Sequence, residues 1–319
     1  MEGQRYVWEG AIPMQIHLHE SEVTTLPPPP PALILAPRIG YLPLLIHLIK
    51  PHFAATLPPG VDTVWFDYNG LPLKWYIPTG VLFDLLSAEP ERPWNLTVHF
   101  RGYPNNLLIP CEGEDSVKWS FINSLKEADY IINGNCKNVM HMSQSDQVEL
   151  WHSVMNGNLE AYLRASSKLK FGIIEDENTL KMDLHSQKSR KTDGEADMGG
   201  QMKTGKCFTL HDALKTLMPE FLADKSLTDE EPLRAEGGDE QLVLSEEVSS
   251  NRMDAEGREI SCSSVESPYA SGGAEILLVR IQGIEPKLEI PFSWVVNNLK
   301  NPEHFLHICV CLKFPQVNS

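Results

Sequence analysis

Two distant stretches of this chain share one pattern, and that pattern limits the folds open to it. Gly70 and Pro78 stand eight residues apart, as do Gly283 and Pro291. Each pair follows an apolar strand pattern and precedes a short amphipathic helix and a closing apolar strand. A glycine supplies the positive φ of a tight turn, and a proline is tolerated in a helix's first turn. A repeat at such distance implies two modules of one kind with something else between them.

The first module reads clearly. Ile12, Met14, Ile16 and Leu18 alternate over a strand at Ala11 to Leu18. Pro27 to Pro31 forms a stiff loop, read as a spacer, with a ligand for a polyproline-binding domain as the alternative. Ala32 to Ala36 is a second strand. Tyr41 to Phe53 is a helix with Leu44, Leu45, Leu48 and Ile49 on one face. Thr63 to Tyr68 and Leu73 to Ile77 form a hairpin around Asn69-Gly70. Pro78 opens a helix through Leu86, and Trp94 to Phe100 closes the module. This order of strand, strand, helix, strand, strand, short helix, strand is the β-grasp order of ubiquitin.

The middle is helical. Val117, Phe121, Leu125, Ala128 and Ile132 form one stripe of a helix over Asp115 to Ile132, with Asp115 or Ser116 as cap and Gly134 past its end. Lys126 lies at the edge of that stripe; from the residues alone it is one more solvated lysine. Ser145 to Met155 and Leu159 to Leu169 are further helices, parted by Asn156-Gly157-Asn158. A polar linker spans 173–205, with Thr179 to Leu184 able to supply one strand. The second module then holds a helix over Thr209 to Leu222, strands Ile276 to Gln282 and Leu288 to Ile290, a helix from Pro291 to Leu299, and a strand Phe305 to Phe314. The fold class is α+β: two ubiquitin-like β-grasp modules, the second incomplete, flanking a helix-rich middle. The boundaries are 1–10 for an amino-terminal segment, 11–103, 112–172 and 206–319, with an acidic disordered insert at about 223–274.

Composition excludes several function classes. The net charge is −16, which argues against a nucleic-acid binder. Leu222 to Glu275 alone holds fourteen Asp and Glu against four Lys and Arg, so the folded parts are nearer neutral. Six cysteines lack a framework spacing, and Cys309-Val310-Cys311 reads as core rather than metal site. The apolar run Leu33 to Ile49 is broken by Pro37, Arg38, Gly40 and Pro43, so it is core and not a membrane span. The start carries no hydrophobic targeting segment, and the eleven histidines are scattered as surface or strand-end residues. No catalytic, zinc or phosphate-loop motif is present, and no cofactor is called for.

Several segments together resemble the autophagy protein 5 family, in a plant-like form. They are Trp8-Glu9-Gly10-Ala11-Ile12-Pro13, Pro72-Leu73-Lys74-Trp75, Leu82-Phe83-Asp84-Leu85-Leu86 and Pro93-Trp94-Asn95-Leu96-Thr97-Val98-His99-Phe100. Lys126-Glu127-Ala128-Asp129, Gly283-Ile284-Glu285-Pro286 and Phe305-Leu306-His307-Ile308 add to them.

The resemblance implies that Lys126 accepts the ubiquitin-like modifier autophagy protein 12 through an isopeptide bond. It also implies a complex with the coiled-coil autophagy protein 16 that acts like a ligase, promoting lipidation of another ubiquitin-like protein on phosphatidylethanolamine. The conjugating enzymes of that pathway are further implied partners, and the complex would be cytoplasmic and recruited peripherally to the phagophore membrane. Only about one free lysine in a thousand is deprotonated at neutral pH, so an enzyme must help remove the proton. Glu127 and Asp129 are expected to orient the amine. In the partner groove, Gly80 would let the coiled coil approach closely and Trp8 would anchor the amino-terminal segment. The family's second module opens with a hairpin that this chain does not supply. A plain ubiquitin-like adaptor, or an assembly-defective splice form, is therefore the alternative, and a hydrolase hidden in the helical middle is a third class.

Overall fold

The computed structural model describes residues 2–57, 63–87, 91–171, 207–222 and 274–314, together with Gly60 and Glu89. The linker at 173–205, with its candidate strand, and nearly all of the acidic insert lie outside these residues. The chain begins with α1 (Glu2–Glu9). The first module then runs β1 (Ala11–Leu18), β2 (Ala32–Pro37), α2 (Ile46–Phe53), β3 (Trp65–Tyr68), β4 (Leu71–Pro72), α3 (Thr79–Leu86) and β5 (Trp94–His99). Its sheet has the order β2-β1-β5-β3-β4, with β1 parallel to β5 and the other pairings antiparallel. The alternation in β1 buries Ile12, Met14, Ile16 and Leu18 beside Trp94, Leu96 and Val98 of β5. Ile49 and Phe53 of α2 and Leu82 and Phe83 of α3 complete that core.

Some expected elements shift for local reasons. Tyr41 to Phe53 is not one α-helix: Leu42–Leu45 is a 3₁₀ turn that feeds α2. Its tighter winding rotates the buried face, so Leu42 and Phe53 are enclosed while Leu48 is 50% exposed. The expected strand Leu73 to Ile77 is only Leu71–Pro72: one more bond follows, Leu73 N→Phe66 O, and the chain then turns at Ile77 N→Lys74 O.

The middle comprises α4 (Glu114–Asn133), α5 (Lys137–Met140), α6 (Gln144–Met155) and α7 (Leu159–Ser166). Neither Asp115 nor Ser116 caps α4. It starts after Gly113, and Ser116 Oγ instead accepts from the Glu112 N–H at 2.9 Å. Gly134 does end it in the left-handed conformation, φ 70°. Val117, Phe121, Leu125 and Ala128 are buried, but Ile132, in the last turn, is 50% exposed. Asn158 caps α7 by accepting from the Ala161 N–H at 3.0 Å.

The second module contains α8 (Leu210–Leu217), α9 (Pro219–Leu222), β6 (Glu275–Arg280), α10 (Phe292–Leu299) and β7 (Cys309–Lys313). Thr209 and Asp212 form a capping box at α8, and Pro219 divides the expected Thr209 to Leu222 helix in two. Leu288 to Ile290 is a turn rather than a strand, closed by Ile290 N→Lys287 O. Only Cys309–Lys313 of the closing segment joins a ladder, pairing with β6 in a two-stranded sheet among the described residues.

The repeat extends to backbone angles. Asn69 and Gly70 have φ of 51° and 79°; Gln282 and Gly283 have 54° and 76°. Two consecutive positive φ values make the same tight hairpin turn in both modules. Pro78 (φ −54°, ψ 141°) and Pro291 (φ −56°, ψ 125°) each precede a helix of eight residues. The cores, however, are divided unequally. The first module encloses its own. Val7 and Trp8 of α1, Phe121 of α4, Trp151 of α6, Leu214 of α8, Val279 of β6 and Val295 of α10 share a second one. The helical middle thus supplies apolar surface that a two-stranded sheet lacks.

Candidate functional site

Lys126 is held by the central helix. On α4, Trp119, Asn123, Lys126 and Tyr130 follow at spacings of four, three and four, which puts them on one face. Phe121, Leu125 and Ala128 turn the opposite face into the core. Trp119 and Tyr130 are 63% and 52% exposed, and Lys126, itself half-buried, falls between them along that face. Its Nζ donates to Asn123 Oδ1 at 3.3 Å, and that is its single polar partner among the described residues. An amine tethered so lightly can reach an incoming electrophile.

The neighbouring acids do not act as expected. Glu127 points to solvent. Asp129 is fully buried and turned away: Oδ1 accepts from Asn133 and Asn138 side chains at 2.8 and 3.0 Å, and Oδ2 from the Val139 N–H at 3.2 Å. This carboxylate ties α4 to the first turn of α5, where a negative charge is favourable. It does not orient Lys126.

Gly80 is likewise a correction. It is buried, and the backbone it lets approach is the chain's own. A Cβ there would lie 2.9 Å from Arg38 Cβ and 2.9 Å from Arg38 O. Arg38 is in fact crowded by three glycines, since a Cβ at Gly10 would meet its Cδ at 2.8 Å and one at Gly283 its Cζ at 2.9 Å. The guanidinium reaches Gly80 O at 3.2 Å and forms an ion pair with Asp84 of α3, both side chains enclosed. Asp84 Oδ2 also accepts from the Gly283 N–H at 2.7 Å. Nearby, Arg280 of β6 donates to Ser87 O at 2.7 Å and to Glu285 at 3.0 Å. These bonds lock the turn of the second module onto α3 of the first.

Trp8 packs the amino-terminal helix against α7. It is 7% exposed, and its ring lies 4.7 Å from that of Tyr162 on α7. Tyr162 in turn donates to Pro302 O at 2.6 Å. Beside this pair, a hollow of about 330 Å³ opens between α1, α7 and the loop after α10, lined by Val7, Leu159, Asn298 and His304 among others. Burial holds the Lys300 amine on its rim below the ordinary lysine range. His304 was not singled out by sequence, yet its ring nitrogens are buried with no hydrogen-bond partner among the described residues, against the surface placement expected of most histidines.

Three family models match in sequence order. They are described as "Autophagy protein ATG5, UblA domain" over residues 7–100, "alpha-helical bundle region" over 114–172 and "UblB domain" over 193–310. Autophagy protein 5 of Arabidopsis thaliana is 56% identical over 360 aligned residues, covering 99% of each chain. The chain belongs to the autophagy protein 5 family. Its role is therefore in autophagy. Within the same family, Autophagy protein 5 of Oryza sativa subsp. indica is 47% identical, covering 97% of this chain and 93% of its own. The crystal structure of Kluyveromyces marxianus Atg5 superimposes with a TM-score of 0.63 at 20% identity, over 98% of this chain and all of that one, which establishes the fold. The Arabidopsis alignment is longer than the 319 residues here, so it opens gaps in this chain.

Proposed function

We propose that this chain is the acceptor of the ubiquitin-like modifier autophagy protein 12, joined by an isopeptide bond to Lys126 Nζ. The supporting observation is the lightly tethered amine between Trp119 and Tyr130 on the solvent face of α4. The modifier's carboxyl terminus arrives as a thioester on a conjugating enzyme. The neutral amine attacks that carbonyl, the C–N bond forms, the C–S bond breaks, the enzyme's thiolate leaves, and the proton shed by the nitrogen passes to a base on the conjugating enzyme. This chain contributes position rather than catalysis. Bound to the coiled-coil autophagy protein 16, with a helix laid along the hollow beside Trp8, the conjugate acts as a ligase-like scaffold. It promotes attachment of a second ubiquitin-like protein to phosphatidylethanolamine at the phagophore membrane, to which it is recruited from the cytoplasm.

A gel shift on co-expression with the modifier and its activating and conjugating enzymes tests the assignment. Lys126→Arg keeps the charge but lacks the nucleophilic primary amine, so the shifted band should vanish, with stability changed by under about 0.5 kcal/mol. A conjugate formed at normal yield by that variant overturns it. The gapped alignment favours one further reading, an adaptor or splice form that is conjugated but does not assemble. Failure to capture the coiled coil, with the gel shift intact, would select it.

A further inference from the structure

The proline tract lies outside both the core and the proposed conjugation chemistry. Leu26 is followed by five consecutive prolines, Pro27 to Pro31. Each proline fixes its own φ and pushes the residue before it toward extended backbone, so the run favours polyproline II geometry. Prolines carry no N–H, so the tract has no donors of its own, and its carbonyls other than that of Pro30 can accept from an outside donor. The structure presents this tract to solvent. Every residue from Thr24 to Pro28 is exposed, and Leu26 reaches 95%. The tract is nonetheless held at its ends. Thr24 Oγ1 donates to Thr56 O, and His52 Nε2 donates to Pro30 O at 2.9 Å, just before β2 begins. An open hollow of about 900 Å³ separates it from the sheet, with Leu18 and Thr97 on one wall and Leu26, Pro28 and Pro29 on the other. A partner's groove can therefore close around the tract.

From these observations we infer that Leu26 to Pro31 is a docking motif for a polyproline-reading domain. The partner carries an aromatic-lined groove that takes an apolar residue followed by an uninterrupted proline run. Charge narrows the choice. No Lys or Arg occurs between Arg5 and Arg38, so the tract lacks the flanking basic residue that an SH3-type acidic pocket pairs with. Readers of the EVH1 or profilin kind, whose rings donate to proline carbonyls and stack on the proline rings, fit better. End-anchoring lowers the ordering cost of binding, because both flanks of the tract are already fixed.

Calorimetric titration of the full chain with a profilin, an EVH1 domain and an SH3 domain tests this. Binding by either of the first two is expected, weakened about ten-fold or more by Pro28→Ala/Pro29→Ala and also weakened by Leu26→Ala. Leu26 and Pro28 are exposed and Pro29 is half-buried, and an unchanged melting midpoint would establish that the fold survives the substitutions. No binding by either reader, or binding unaffected by the substitutions, overturns the inference. So does binding to a free peptide of residues 24–33 without binding to the chain, which would mean that the fold occludes the motif. SH3 binding alone overturns the choice of reader.

Discussion

Asp84 and Gly283 stand 199 residues apart in sequence, yet the Gly283 N–H donates to Asp84 Oδ2 at 2.7 Å. The same oxygen pairs with Arg38, so one buried carboxylate serves a cation and a backbone amide from separate modules. Removing it strands the guanidinium in the interior. Asp84→Ala should cost about 3–5 kcal/mol in equilibrium urea unfolding, the range for breaking a buried pair from one side. A variant within about 1 kcal/mol of the parent would mean that the pair does not join the modules.

The crowding around Arg38 gives a separate expectation for Gly80. A single methyl there, 2.9 Å from Arg38 Cβ and O, must move the β2–α2 turn or α3. Gly80→Ala should lower stability by about 1–3 kcal/mol, as overpacking does. Thermal melting checks it. A variant of normal stability that no longer captures the coiled coil would restore the surface role for this glycine.

Asp129 sits three residues from Lys126, the proposed acceptor, and faces the other way. Asp129→Asn keeps the shape but turns an acceptor toward three donors into a mixed group, which should cost about 1–3 kcal/mol. Conjugation at Lys126, measured per folded molecule in the gel-shift assay, should be unchanged. A large loss of conjugation at preserved stability would return Asp129 to the chemistry.

His304 makes folding sensitive to acid. Burial, reinforced by the nearby Lys300 charge, brings its imidazole down from 6.5 to about 3. Below pH 6.5 the unfolded chain takes up a proton that the folded one refuses, so stability falls with pH across the window down to about 3. Between pH 6.5 and 5 this residue alone should account for a loss of about 2 kcal/mol. His304→Asn removes the titration and tolerates the residue's φ of 68°. Urea midpoints of the two chains at pH 7 and pH 5 check it: the variant should lose less on acidification, and equal losses would count against the role.

Local rules made much of this legible. The period-two run in β1 predicts both its limits and its buried side, because one face of a sheet must be apolar. The glycine and proline pairs predict two matching turns, because few residues tolerate a positive φ or open a helix without an N–H. The 3₁₀ entry to α2 was hidden, since Leu42 to Leu45 carries no marker of its tighter winding. The polar junction was hidden for another reason. Asp84 within Val81-Leu82-Phe83-Asp84-Leu85-Leu86 signals a charge on an apolar helix that needs a partner. Nothing nearby in sequence says that the partners are Arg38 and the amide of Gly283. Gly80 was misread on the same account, as room for an outside chain rather than for Arg38.

The shared second core also sets an order of events during synthesis. The first module holds every residue of its own core by Phe100 and can close while the rest is still being made. Val7 and Trp8 belong to a core that also needs Val295 and Leu299, and Trp8 rests on a tyrosine whose hydroxyl is held by Pro302. At ribosomal speeds of roughly 5–20 residues per second, those partners emerge on the order of 10–40 s after Phe100. This helix is made long before the last members of its core, so it completes its packing only near the end of synthesis.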